Sequence, residues 1–181
     1  VPRESRQAVR VASMRNPLKM PVLAGPADVY LDDEFLVTSQ IETVPEGGRL
    51  AIGLGVEERL KVARNSVYSE SSHGLLGGSL SLEHAVDVEV TSCLDSPASV
   101  EVRERMPIVE EDERDVDIEV SGVSPGWENF HQSKDRDLKG GKRWRFTLQP
   151  GGTEKLHYAY SIRIDSRNEL VGGNRRERGN S

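Results

Sequence analysis

Apolar and polar residues alternate along much of the chain with the period of two that a half-buried β-strand requires. Each such strand has one row of side chains in a core and one row in water. No stretch has the apolar spacing of a convincing amphipathic helix. The clearest alternating segments are 86–90, 100–103, 116–120, 144–148 and 158–164.

Turn-forming residues separate these segments at short intervals. Asp32-Asp33 lies between two apolar runs and predicts a β-hairpin. Pro45-Glu46-Gly47-Gly48, Ser124-Pro125-Gly126 and Pro150-Gly151-Gly152 are turn clusters of the same kind. Short strands with frequent turns predict an all-β fold with little or no helix, an antiparallel β-sandwich that is immunoglobulin-like or related.

The domain organisation predicted from these patterns is simple. Residues 1–165 form one β-sandwich domain. Residues 166–181 are rich in Gly, Asn and Arg and poor in apolar groups, so we expect a disordered, flexible C-terminal tail.

The charge of the chain argues against two classes of partner. Its 181 residues have a formal net charge of -6, so it lacks the basic footprint that nucleic-acid phosphates require. No apolar run is long enough to span a bilayer, and we expect no membrane insertion. An anionic leaflet would also repel an acidic chain.

Cysteine content and the first residue leave the compartment open. With the single thiol of Cys93, no intrachain disulfide or cysteine-based zinc site can form. The sequence starts at Val1 without a methionine or a signal peptide, which suggests an excised piece of a longer protein. Both the cell envelope and the cytoplasm fit these observations.

No constellation of residues predicts catalysis or metal binding. The four histidines, His73, His84, His131 and His157, lack the short spacing of a metal motif. The glycine-rich segment that begins at His73 is similar to the oxyanion loop of esterases, but no G-x-S-x-G nucleophile elbow accompanies it. The sequence therefore predicts a non-enzyme with no catalytic, cofactor-binding or metal-binding residues and no cofactor.

Two clusters remain as candidates for binding. The acidic stretch 110–115, with Asp117 and Glu119, is interpreted as a solvated strand face and an acidic turn rather than a calcium site or a pair of glycosidase carboxylates. Trp127 follows a Pro-Gly turn, with Phe130 and His131 nearby. These three residues are the predicted ligand or partner contact, although Trp127 would serve equally as a plug over one end of the sandwich.

Several segments resemble one protein family. They are Asn16-Pro17-Leu18, the run 21–30 with Phe35, the run 52–62, and Trp144 with Pro150-Gly151. Together these segments, spread over roughly 9–164, are similar to the second half of the C-terminal domain of mucoidy-inhibitor-A-like proteins, a bacterial domain of unknown function. The resemblance implies an all-β fold, an upstream half of the same domain, and no established catalytic residues to carry over.

The sequence thus favours a non-catalytic structural or protein-interaction module of a larger bacterial protein. Its expected partners are the upstream half of the same protein or a second copy of the chain. Two alternatives stay open. One is a carbohydrate-binding module for an envelope polysaccharide that uses Trp127, and the other is part of a hydrolase whose cleft is shared with the upstream half.

Overall fold

The computed structural model describes residues 5–73, 79–109, 115–131 and 139–165. Within these ranges the chain forms antiparallel β-strands and no helix, which confirms the all-β prediction. No helix able to cross a membrane occurs in this part of the chain. The strands are β1 (Gln7–Arg15), β2 (Gly25–Leu31), β3 (Glu34–Ile41), β4 (Arg49–His73), β5 (Ser79–Ser92), β6 (Ala98–Arg105), β7 (Val116–Ser124), β8 (Glu128–Asn129), β9 (Gly141–Leu148) and β10 (Thr153–Asp165).

The strands hydrogen-bond in three groups. Five of them follow the order β1-β4-β5-β10-β7, β2 pairs with β3, and the third group has the order β6-β9-β8. Because β6 and β7 each stand at one end of their group, each has one edge that pairs with no strand in the described part of the chain. Such edges are where another strand can be added.

The chain divides into two compact units, and β4, β5, β6, β9 and β10 contribute residues to both. The first unit comprises Val1–Ala63, Glu89–Val100 and Phe146–Glu154, and the second comprises Arg64–Val88, Glu101–Arg145 and Lys155–Ser181. A single domain over 1–165 stays a prediction, and the predicted tail 166–181 lies outside the described residues.

Most of the buried apolar side chains belong to the second unit. Burial of one such side chain stabilises the fold by roughly 1.5–3 kcal/mol. In the first unit the buried apolar residues include Val44, Leu50, Val90 and Leu148. In the second they are Leu82, Val86, Val88, Val102, Met106, Phe130, Trp144, Leu156, Tyr158 and Ile164.

The predicted hairpin at Asp32-Asp33 is confirmed. Strands β2 and β3 pair in antiparallel register with Leu31 opposite Glu34, so the two aspartates form the whole connection. Their φ angles are +48° and +66°, which is the left-handed conformation that the tightest hairpin turns require. Aspartate tolerates this conformation better than most residues, because its short side chain can hydrogen-bond locally.

A β-bulge interrupts the pairing of β1 with β4. Val9 lies opposite Val56 and Val11 opposite Gly53, so β4 contributes one more residue than β1 to this interval. Gly55 has φ of +85°, a conformation that is cheap only for glycine. In the sequence, Gly53 and Gly55 flank Leu54 and predict a bulge or a sharp bend at the end of a strand, whereas in the structure the bulge lies inside the 25-residue β4.

Candidate interaction surfaces

The three predicted contact residues have different environments. Trp127 is half-buried, and its ring centroid lies 5.3 Å from that of Trp144 and 5.4 Å from that of Tyr158. Phe130 is 8% exposed, and His131 is exposed. Their role in binding stays a prediction.

Two guanidinium groups flank the ring of Phe130. The Cζ of Arg103 lies 4.3 Å from the ring centroid and that of Arg143 lies 5.6 Å from it. Both distances are within the range of a cation–π interaction. Phe130 therefore holds two arginine side chains of neighbouring strands in place and presents little of its own surface to solvent.

The carboxylate of Glu101 lies among three guanidinium groups. Arg103 donates to its Oε1 at 2.6 Å, Arg145 donates to its Oε2 at 2.9 Å, and Arg143 lies 3.9 Å from the same Oε2. Partial burial alone would raise the pKa of Glu101, but the hydrogen bonds from Arg103 and Arg145 outweigh it and lower that pKa. Glu101 is therefore a bound carboxylate at the centre of an arginine cluster.

This cluster belongs to the solvent side of two adjacent strands. On β6 the odd-numbered positions 101, 103 and 105 are exposed, while Val102 and Glu104 are buried. On β9, Arg143 and Arg145 alternate with buried Trp144. The name arginine face is used below for Arg103, Arg105, Arg143 and Arg145.

A buried ion pair lies on the opposite side of β6. Glu104 is fully buried, and its Oε1 accepts a hydrogen bond from Nε of Arg64 at 3.1 Å. The same guanidinium donates to the Tyr158 hydroxyl at 3.2 Å. Within the described residues, Oε2 of Glu104 has no hydrogen-bond partner. Burial, with the nearby charge of Glu104, raises the pKa of Tyr158 to about 12, although the hydrogen bond from Arg64 opposes this shift.

Exposed aromatic residues mark the end of the β2–β3 hairpin. Tyr30 and Phe35 are opposite each other in the register and make an edge-to-face contact with ring centroids 5.8 Å apart. They are 61% and 58% exposed, and the adjacent Leu31 is 57% exposed. Such a group of large apolar side chains in water is typical of a contact surface rather than of an ordinary strand face. Tyr30, Leu31 and Phe35 are called the hairpin tip below.

A buried asparagine fixes a second apolar segment of the first unit. Asn16 is 3% exposed, and its Nδ2 donates to the carbonyls of Met20, Val44 and Pro45 at 2.9 to 3.3 Å. Its Oδ1 accepts from the amide of Leu18 at 3.0 Å. The short loop that follows Asn16 is thereby held in one conformation with Leu18 and Met20 exposed.

Neither an enclosed apolar pocket nor a cluster of metal ligands is found among the described residues. An open groove of about 330 Å³ lies where β1 and β4 lose register, but charged side chains such as Arg6, Glu57 and Lys61 line it. Small-molecule sites are mostly apolar and enclosed. No group of three or more metal-ligating side chains occurs within the described ranges.

The other sequence candidates have ordinary environments where they are described. His157 Nδ1 lies 2.8 Å from Asp87 at the surface, and His84 stacks on Tyr160 with ring centroids 4.6 Å apart. Cys93 is exposed. The acidic residues 110–114, the loop 74–78 and the side chain of His73 lie outside the described residues.

Comparison with protein families gives one match. A family model described as a domain of unknown function, DUF4139, matches residues 3–165. The chain belongs to the DUF4139 family. Neither the curated proteins nor the solved structures contain a match to it.

Several features of this DUF4139 domain were not predicted from its sequence. Arginines two residues apart in alternating strands, Arg103 with Arg105 and Arg143 with Arg145, signal a shared solvent face. The same alternation places Glu104 on the core side, where a carboxylate requires a partner. Asn16 gives no such signal, because two of its hydrogen bonds reach residues 28 and 29 positions later in the chain.

Proposed function

We propose that this DUF4139 domain is a non-catalytic protein-interaction module that self-associates through the hairpin tip. The observation that carries the proposal is the exposed Tyr30–Phe35 pair with Leu31 beside it. On the outward side of this hairpin the neighbouring positions are polar, as in the hydrogen bond from Thr38 to Asp28. Two aromatic rings at the end of such a face gain stability when another surface covers them.

A second copy of the chain is the proposed partner. A cross-strand aromatic pair at the end of a hairpin can meet its own counterpart about a two-fold axis, which is the commonest symmetry of protein dimers. The rings of Tyr30 and Phe35 already contact each other within one chain. Their side chains would therefore lose little conformational entropy on dimerisation. Leu18, Met20 and Leu23 of the same unit are also exposed, but they precede β2 and are not part of the hairpin tip.

The carbohydrate-binding alternative has weaker support. It depends on a free face of Trp127, but that ring packs against Trp144 and Tyr158, and Nζ of Lys142 lies 5.5 Å from its centroid.

Two expectations about the fold and the parent protein also remain proposals. The first is that the sheets form an immunoglobulin-like sandwich, and the second is that the parent proteins are mucoidy-inhibitor-A-like. The second rests on the Asn16-Pro17-Leu18 motif and the other segments of the resemblance.

Light scattering tests the proposed function directly. We expect the full chain to associate as its concentration rises from micromolar to millimolar, and the variant Tyr30→Ser with Phe35→Ser to remain monomeric. The matched control is Val67→Ser with Val120→Ser, which removes two exposed apolar groups of the second unit and should associate like the wild type. A monomeric wild type at millimolar concentration, or equal association of both variants, would refute the proposal.

A further inference from the structure

The arginine face carries charge of the opposite sign to the chain as a whole. The net charge is -6, yet four guanidinium groups lie on the solvent side of β6 and β9, and among the described residues only Glu101 and Glu128 form ion pairs with them. Arg105 is exposed and makes no ion pair within the described residues. A local excess of positive charge of this kind attracts anionic groups.

The guanidinium groups are also held in place before any partner arrives. Arg103 and Arg143 lie over Phe130, Arg103 and Arg145 are hydrogen-bonded to Glu101, and Arg143 is hydrogen-bonded to Glu128. Ordering a long side chain when a partner binds costs conformational entropy. That cost is already met here for three of the four arginines. The position of Glu101 demonstrates that the cluster accepts a carboxylate.

The spacing of the arginines fits an extended polypeptide. Arg103 and Arg105 are two residues apart on one strand, as are Arg143 and Arg145 on the next, so each pair repeats at roughly 6.8 Å. Alternate side chains of an added strand repeat at the same distance. Because β6 is a terminal strand of its group, its outer backbone edge is able to accept such a strand.

We propose that the arginine face binds an acidic polypeptide segment, which adds as a strand to the edge of β6 with its carboxylates opposite Arg103 and Arg105. Cross-strand pairs of opposite charge would then set the register. A polysaccharide fits less well, since Phe130 is covered and the face presents no free aromatic ring to stack on a sugar. Nucleic acid would be repelled by the rest of the chain. The arginine face is a different surface from the hairpin tip, so peptide binding there is independent of self-association.

A capped, fluorescently labelled peptide of alternating valine and glutamate is the probe, with fluorescence anisotropy as the measurement on the full chain. We expect saturable binding that weakens as salt is added, because exposed charges are screened. The charge-reversal variant Arg105→Glu with Arg145→Glu should lower the affinity by about tenfold or more. The control Arg6→Glu with Lys61→Glu makes the same change in net charge in the first unit and should bind like the wild type.

Three further ligands and one further variant distinguish this proposal from its alternatives. A valine–lysine peptide should not bind, and polygalacturonate should bind more weakly than the glutamate peptide. A glutamate peptide with methylated backbone nitrogens should lose most of its affinity, since it cannot complete the strand pairing. Arg105→Ala removes only one exposed side chain and should also weaken binding. It shows whether the double variant loses affinity through the missing charge or through misfolding. No binding of the glutamate peptide, tighter binding of polygalacturonate, or equal losses in variant and control would overturn the proposal.

Discussion

Nε of Arg64 on β4 lies 3.1 Å from the carboxylate of Glu104 on β6, although 40 residues separate them in the sequence. Glu104 is fully buried, and the side chain of Arg64 is 15% exposed. A buried charge that loses its partner destabilises a protein far more than an apolar replacement of both partners does. Substitutions of this pair therefore test whether the stability of the second unit requires the two opposite charges or only side chains that fill the same space.

We predict that Arg64→Met lowers the free energy of unfolding by about 3–5 kcal/mol, because it leaves the Glu104 carboxylate buried without a cation. The double variant Arg64→Met with Glu104→Met should cost less than Arg64→Met alone, since it removes both charges. Urea denaturation followed by circular dichroism measures both. Arg59→Met is the control: the Arg59 side chain, which pairs with Glu57, is 54% exposed, so the loss of stability should be much smaller. An Arg64→Met variant as stable as the wild type would contradict a buried ion pair.

The pairing of Arg64 with Glu104 also indicates what the sequence could not predict. Alternation assigns side chains to a face, so it predicts the buried Val86, Val88 and Val90 of β5 correctly. It does not specify which strands are neighbours or in which register. The contacts of Arg64 reach 40 and 94 residues along the chain, and these depend on the strand order.

Local chemistry, by contrast, could be predicted closely. Two aspartates between apolar runs are enough to define the β2–β3 turn, because few residues adopt the left-handed conformation there. The glycines on either side of Leu54 predict a bulge or a sharp bend at the end of a strand, but the bulge lies inside β4. The exposed hairpin tip was not anticipated, since the pattern Tyr30-Leu31 before a turn looks like the end of any core strand.

The left-handed conformation of Asp33 gives a second prediction. Its φ is +66°, which strains any residue with a Cβ atom, whereas glycine adopts it freely. Asp33→Gly should therefore raise the free energy of unfolding by roughly 0.5–1 kcal/mol. Glu34→Gly is the control, because Glu34 begins β3 in extended conformation and should lose stability instead. Midpoints of urea denaturation distinguish the two, and a loss of stability in Asp33→Gly would refute the turn geometry.

A third prediction concerns Gly140, which precedes β9 and the arginine face. Its φ is +76°, its carbonyl accepts a hydrogen bond from the amide of Met106, and an added Cβ would collide with the carbonyl oxygen of Met106. Backbone atoms cannot move aside cheaply, so Gly140→Ala should cost about 2 kcal/mol or more.

Gly126→Ala is the matched control for that variant. A Cβ at Gly126 would have no atom within 4 Å, and its φ is outside the left-handed region. The stability should remain within about 0.5 kcal/mol of the wild type. Thermal and urea denaturation of both variants provide the comparison. Equal stability of the two alanine variants would show that the close approach of Gly140 to Met106 is absent in solution.

The raised pKa of Tyr158 predicts how stability depends on pH at the alkaline end. The phenol ionises near pH 10 in the unfolded chain but at about 12 in the folded one, since burial and the charge of Glu104 disfavour the phenolate. Between these values the unfolded state holds fewer protons, so the stability contribution that is complete below pH 10 is lost as the pH rises toward 12. The loss is roughly 2–3 kcal/mol. Tyr158→Phe should be less stable than the wild type at neutral pH. Its stability should fall less steeply between pH 10 and 12, because it has no phenol at this position to ionise. The other tyrosines and the lysines titrate alike in both proteins, so the difference in slope reports Tyr158. Parallel curves of unfolding free energy against pH for the two proteins would contradict a buried Tyr158 hydroxyl.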